Sequence, residues 1–268
     1  GVKSLKSIDN KIWKKRLSKL ENPKGEVTIA IVGKYIELQD SYKSIYESLI
    51  HASAYLNYAV KIAWIHSEHL NDENISVQLD GCKGVIIAPG FGDRGVEGKI
   101  VAAKFIRENN IPFLGICLGM QVAVIEFFRN VCGYSDAHST EIYPQTKYPI
   151  IDLMKNQENV TDKGGTMRLG SYDCTLTKPS KSFSAYGTGS IQERHRHRYE
   201  LNNIYRDELK SNGMIFSGVN DTLDLVEIIE IENHPFFIGV QFHPEYQSTF
   251  INPHPLFLSF INTVLNIK

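Results

Sequence analysis

Pro112-Phe113-Leu114-Gly115-Ile116-Cys117-Leu118-Gly119-Met120-Gln121 decides how the rest of the chain is read. A short apolar run ends at a cysteine with glycines two residues before and two after it, and an apolar, helix-compatible segment follows. This is the G-x-nucleophile-x-G spacing of a strand-to-helix elbow, with Cys in the place of Ser. The glycines suit a tight turn that neighbouring backbone passes closely. The turn lifts the thiol to the top of a sheet at a helix N-terminus, which favours thiolate, the nucleophilic form. A lone cysteine is more often a small buried hydrophobe, so the reading rests on its context.

That context is an alternation of strands and helices. Val27–Val32, Val60–Ile65, Gly84–Ala88 and Ile111–Ile116 read as strands. The continuous apolar run of the first is expected of a strand buried on both faces. Tyr42–Leu56, Gly98–Asn109 and Gly119–Asn130 read as helices between and after them. The pattern predicts a parallel sheet with right-handed crossovers and its site at the C-terminal strand ends. Residues 132–165 read as loop-rich. Beyond them Met167–Thr177, Glu193–Leu201, Met214–Val219, Leu225–Ile231 and Phe236–Phe242 look like strands of a mixed extension of the same sheet. Among these only Ile204–Ser211 looks helical, and His254–Ile267 closes the chain as a helix with Pro255 in its first turn.

Residues 1–25 differ from the rest. They carry eight basic residues, and Asp9 is placed to cap a short helix with Trp13, Leu17 and Leu20 on one face, ending near Pro23. The run is either an anion-binding arm or a solvated helix and linker. The 268 residues are 42% hydrophobic and 22% charged with formal net charge −1, so charge offers no argument for nucleic acid or an anionic membrane as partner. Cys82, Cys117, Cys132 and Cys174 have no zinc-type spacing, and free thiols fit a cytoplasmic location. No apolar run reaches the roughly 18 residues of a membrane span, and the basic N-terminus lacks the apolar core of a signal peptide.

Three further stretches carry chemistry. Gly239-Val240-Gln241-Phe242-His243-Pro244-Glu245 is an apolar strand ending in His-x-Glu. In an extended chain residues two apart share a side, so Glu245 can orient and charge-stabilise His243, a base for Cys117. A surface His and Glu at a strand end is the bland alternative. The turn Pro89-Gly90-Phe91-Gly92-Asp93-Arg94-Gly95 offers backbone N–H groups as an oxyanion hole together with the Leu118 amide, or is an ordinary strand-to-helix turn. Along Glu193-Arg194-His195-Arg196-His197-Arg198-Tyr199, strand alternation puts the three arginines on one side and the two histidines on the other. The histidines lack a carboxylate or thiol at metal-ligand spacing. The arginines suit bidentate carboxylate binding, or an exposed charged strand.

The elbow with a downstream His-Pro-Glu resembles the class I (triad) glutamine amidotransferases. Longer strings narrow the resemblance to the glutaminase domains of the CTP synthase family. These include Val32-Gly33-Lys34-Tyr35-Ile36-Glu37-Leu38, Gly164-Gly165-Thr166-Met167-Arg168-Leu169-Gly170 and Glu193-Arg194-His195-Arg196-His197-Arg198-Tyr199-Glu200. It covers 27–265 and implies an α/β amidotransferase fold, a mostly parallel central sheet flanked by helices with an added antiparallel and mixed strand region. Residues 1–25 would be an interdomain linker and 26–268 the glutaminase domain. The resemblance implies Cys117 as nucleophile, His243 as base and Glu245 as its orienting partner. It matches Gly90, Leu118, Gly119, Met120, Gln121, Glu141 and Arg198 to L-glutamine binding. Phe91, Arg94, Thr166 and Arg168 are the positions it suggests for a GTP activator. The family's turn reads Pro-Gly-Gly-Phe-Gly, and here Pro89 replaces the first glycine. Proline has no N–H, so Gly90 must supply the oxyanion contact.

The resemblance implies no cofactor or metal in this domain. ATP, Mg²⁺ and UTP belong to an N-terminal synthetase domain, the implied partner, whose nucleotide-binding residues are not in these 268. Neither nucleic acid nor membrane is expected as a partner. Three other readings stay open: a glutaminase subunit of another amidotransferase, a catalytically silent assembly or regulatory domain, and a γ-glutamyl peptidase.

Overall fold

A computed structural model describes residues 10–153 and 167–267 of the chain. Five strands form the parallel half of the main sheet: β1 (Glu26–Gly33), β2 (Ala59–His66), β3 (Gly84–Ile87), β4 (Phe113–Ile116) and, from the far end of the chain, β12 (Phe237–Val240). Their order is β2-β1-β3-β4-β12. Successive residues alternate between two cores. Ala30, Val32, Val85, Ile87 and Phe113 face one; Ile29, Ile31, Ile86, Leu114 and Ile116 face the other. The first core is covered by α4 (Val96–Glu108) and α5 (Leu118–Asn130), the second by α2 (Lys43–Leu56) and α8 (Pro255–Asn266). Burial on both faces is why β1, β3, β4 and β12 read as apolar runs, whereas the edge strand β2 is half-buried and carries an exposed Lys61.

The sheet continues with antiparallel strands beyond β12. They are β11 (Leu225–Ile231), β10 (Met214–Asn220), β7 (Arg168–Leu176) and β8 (Ser190–His197), in that order. The strand expected over Glu193–Leu201 is in fact two. The chain bends at Arg198, and β9 (Tyr199–Leu201) leaves for a second sheet. There it pairs with β6 (Tyr148–Leu153), which pairs with β5 (Ala137–Ser139). Both of these lie in the stretch expected to be loop-rich. A helix absent from the sequence reading, α6 (Lys181–Tyr186), sits between β7 and β8, and α7 (Arg206–Ser211) lies within the expected helical stretch. The short α3 (Ile75–Gln78) precedes β3.

At the N-terminus α1 (Lys11–Glu21) has Asn10 at its cap with no side-chain bond; Asp9 lies outside the described residues. None of its residues is buried, but it is tethered. Arg16 lies 4.2 Å over the Tyr55 ring and donates to the Ile251 carbonyl, and Trp13 packs on Phe250.

Candidate active site

The elbow is built by close approach. A Cβ on Gly119 would stand 2.2 Å from the Ile87 carbonyl oxygen, and one on Gly115 2.7 Å from the Gly119 oxygen. Only glycines let α5 start this near to β3 and β4. Between them Cys117 is forced to φ 52° and ψ −103°, a strained conformation for a residue with a Cβ. Its N–H donates to the Val240 carbonyl at 2.7 Å.

That bond ties the nucleophile candidate to β12. Parallel register sets Ile116 against Val240, so the residues just past each strand end meet. His243 follows, its N–H donating to the Arg194 carbonyl on β8 at 2.8 Å. His243 Nδ1 and Glu245 Oε1 are 2.7 Å apart. The extended-chain argument for this pair needs correcting: Pro244–Tyr246 is a tight helical turn, and the turn swings the carboxylate back to the ring. Tyr246 stacks on the imidazole with centroids 4.9 Å apart. Burial opposes the imidazolium, but the Glu245 carboxylate and the Cys117 sulphur outweigh it, and the His243 pKa is raised. The other ring nitrogen, Nε2, is buried without a hydrogen bond of good geometry among the described residues, although the thiol is near enough to help hold the proton.

A cleft opens over Cys117, lined by Gly90, Phe91, Gln121, Glu141 and Arg198 from the sequence reading. The bend at residue 198 turns Arg198 off the alternating face of β8, where Arg194 and Arg196 are exposed, and into this cleft. Leu118 sits beside Gly90, whose Cβ would lie 3.6 Å from its side chain. Gly119 and Met120 do not line the cleft; they face back against Ile87 and Gly239. Met167, His197 and Tyr199 line it without having been singled out as ligand contacts.

The four positions suggested for an effector separate. Phe91 is 44% exposed at the cleft mouth, with the Arg196 guanidinium 5.8 Å over its ring. Arg94 is half-exposed, paired with Glu68 at 2.6 Å and 5.4 Å over the Tyr35 ring. Thr166 lies outside the described residues. Arg168 is only 3% exposed, unlike Phe91 and Arg94. It stacks 4.2 Å over Tyr172 and reaches within 2.7 Å of Glu227.

Burial raises the Glu227 and Glu200 carboxyls beside Arg168 and lowers His195 and His197. The neutral histidines form a chain, with His197 Nδ1 3.2 Å from the Tyr199 carbonyl and His195 Nδ1 3.0 Å from His197 Nε2. A carbonyl only accepts, so each Nδ1 carries the hydrogen.

Two lysines under the Pro89-Gly90 turn were also missed. Lys99 Nζ donates to the Ala88 carbonyl at 2.7 Å, and Lys34 Nζ to the Phe91 carbonyl. Among the described residues, no group of three or more His, Cys, Asp or Glu is arranged to hold a metal, and no helix is long and apolar enough to cross a membrane.

The family model for glutamine amidotransferase class-I matches residues 37–263. The chain belongs to that family. Within it, the similarity is to glutaminase domains of the CTP synthase type. CTP synthase of Flavobacterium johnsoniae is 55% identical over 260 residues, which is 97% of this chain and 48% of that protein. CTP synthase of Cytophaga hutchinsonii is 57% identical over 253 residues, 94% of this chain and 47% of that protein. The chain thus spans about half the length of these relatives. The glutaminase domain of Trypanosoma brucei CTPS, solved with bound acivicin, superposes with TM-score 0.84 at 40% identity, covering 90% of this chain and 95% of that one. The amidotransferase fold expected from the sequence is the one observed.

Proposed function

We propose that this glutaminase domain hydrolyses L-glutamine to glutamate and ammonia through Cys117, His243 and Glu245. The observation that carries the reading is the buried His243–Glu245 pair beside the thiol of a strained elbow, under a cleft that holds Arg198 and Glu141. In this reading Arg198 takes the carboxylate of glutamine and Glu141 its ammonium. The Cys117 thiolate attacks the side-chain amide carbon. Backbone N–H groups of Gly90 and Leu118 receive the oxyanion. His243 gives its proton to the departing nitrogen, ammonia leaves and a γ-glutamyl thioester remains. Water then gives a proton to His243, attacks the thioester and releases glutamate, and Cys117 is restored. Glu245 keeps the ring oriented and supports its charge throughout.

The finer reading concerns the fate of the ammonia. The relatives named CTP synthase are about twice as long as this chain; in this reading the ammonia passes to a synthetase half that aminates UTP to CTP with ATP. GTP is the proposed activator, with Phe91 and Arg94 at or beside the cleft mouth as its exposed candidate contacts. Cys117→Ala is expected to release no ammonia above background while unfolding at the wild-type temperature. Ammonia release at the wild-type rate would sink the reading. The same assay, repeated with GTP and a separately supplied synthetase domain, is expected to show faster turnover than the chain alone.

A further inference from the structure

Gln241 follows the apolar run of β12, and it is fully buried at 0% exposure. Its backbone N–H donates to the Glu227 carbonyl at 2.9 Å, which leaves the side-chain amide for another use. That amide is part of a chain of contacts whose polarity is set from one end. The Tyr199 carbonyl can only accept, and it takes Gln121 Nε2 at 2.8 Å. The same Gln121 Nε2 reaches Gln241 Oε1 at 3.2 Å. Gln241 Nε2 is thereby turned to Cys117 Sγ, 3.6 Å away. A flipped Gln241 would set two NH₂ groups against each other and its carbonyl oxygen against the sulphur lone pairs.

The two sides of the sulphur are therefore different. Toward the Arg196 carbonyl, 4.0 Å off, a neutral thiol can direct its hydrogen. Toward Gln241 the sulphur faces a fixed donor. A thiol sulphur is a weak acceptor, whereas a bond to an ionised partner is about twice as strong as a neutral one. The donor thus favours the form that attacks, in the position it attacks from.

We infer that the Gln121–Gln241 amide pair holds the Cys117 sulphur for attack, Gln241 as the donor in contact with it and Gln121 as the residue that fixes the donor's orientation. The inference rests on the reading of Cys117 as the nucleophile. It concerns the thiol alone, so it is tested without glutamine.

The test is alkylation of Cys117 by iodoacetamide at pH 7, followed on the Cys117 peptide by mass spectrometry. Gln241→Met keeps the length and apolar bulk of the side chain and removes the donor. It is expected to slow alkylation about tenfold or more, the worth of a hydrogen bond to a charged group. In the glutaminase assay kcat falls similarly while KM stays near wild type, because Gln241 does not line the cleft. A folded Gln241→Met that alkylates within about twofold of wild type overturns the inference. If Gln241→Met does not fold, Gln121→Met decides in the same assay: its Gln241 amide is free to turn, slower alkylation supports the inference, and an unchanged rate overturns it. Wild-type protein that alkylates fast yet releases no ammonia would refute the hydrolysis reading and leave this one standing.

Discussion

Lys99 is wholly buried on α4, and its Nζ donates to the Ala88 carbonyl immediately before the Pro89-Gly90 turn. Burial, with the Lys34 ammonium, pulls its pKa from 10.5 down to about 7, against a smaller opposing pull from Cys117. The folded protein takes up this proton only near pH 7, whereas the unfolded chain takes it up near pH 10.5. Between those values the unfolded state binds more protons. The stability this group contributes is fully present above pH 10.5 and is lost as pH falls toward 7. The loss is about 1.4 kcal/mol per pH unit, or about 5 kcal/mol over the window. Lys99→Met removes the proton and keeps most of the apolar stem. It also removes the donor to Ala88, a cost of about 1 kcal/mol that does not vary with pH. Urea unfolding of both proteins at several pH values from 7.5 to about 9.5 isolates the ammonium. The stability of wild type minus that of the variant is expected to climb by about 1.4 kcal/mol per pH unit, with the variant the more stable at pH 7.5. Parallel curves would refute the reasoning, because they would mean that Lys99 titrates alike in both states.

Two other substitutions probe the elbow and the proposed base. Gly119→Ala drives a Cβ to 2.2 Å from the Ile87 carbonyl oxygen, a backbone atom that cannot swing aside. Overpacking of about 1–3 kcal/mol is expected, seen as a Tm lower by several degrees, together with a large fall in kcat as α5 is pushed from the Pro89-Gly90 turn. Wild-type Tm and turnover would contradict the close-approach account. Glu245→Gln leaves the shape of the 2.7 Å pair but not its charge. A kcat loss of about 10²-fold with KM held is expected from steady-state ammonia release, and an unchanged kcat would remove Glu245 from the mechanism.

The parts of the fold legible in the sequence are those whose signal is local. β1, β3, β4 and β12 are apolar runs because both faces are buried, and the glycines around Cys117 mark a turn where any Cβ collides. The parts that were not legible depend on partners distant in sequence. The six residues of α6 are too few for helical periodicity. Its first N–H groups, of Lys181 and Ser182, are taken by Glu230 at 2.9 and 2.8 Å, from a strand some fifty residues on. β5 and β6 are short, and β6 exists as a strand because β9 leaves the main sheet to pair with it. That departure happens at Arg198, and strict alternation along Glu193–Tyr199 does not anticipate it.

The candidate site divides along a similar line. Cys117, His243 and Glu245 stand in motifs, so their chemistry is visible in the order of residues. Lys99 stands in no motif, and Lys34 and Gln241 lie inside stretches whose reading gave them no role, yet each is buried and hydrogen-bonded at Cys117 or the turn above it. Their shared signal is a polar side chain where the pattern calls for an apolar one. Lys34 follows the apolar run of β1, Gln241 follows that of β12, and Lys99 shares the buried face of α4 with Val96, Ala103 and Ile106. Burying a polar group costs free energy unless it is hydrogen-bonded, so a chain that puts a lysine or glutamine at such a place must supply a partner there. Here the partners are the carbonyls of Ala88 and Phe91, either side of the Pro89-Gly90 turn, and the sulphur of Cys117. Polar interruptions of apolar runs near a strand end therefore deserve the weight in reading this fold that the motifs received.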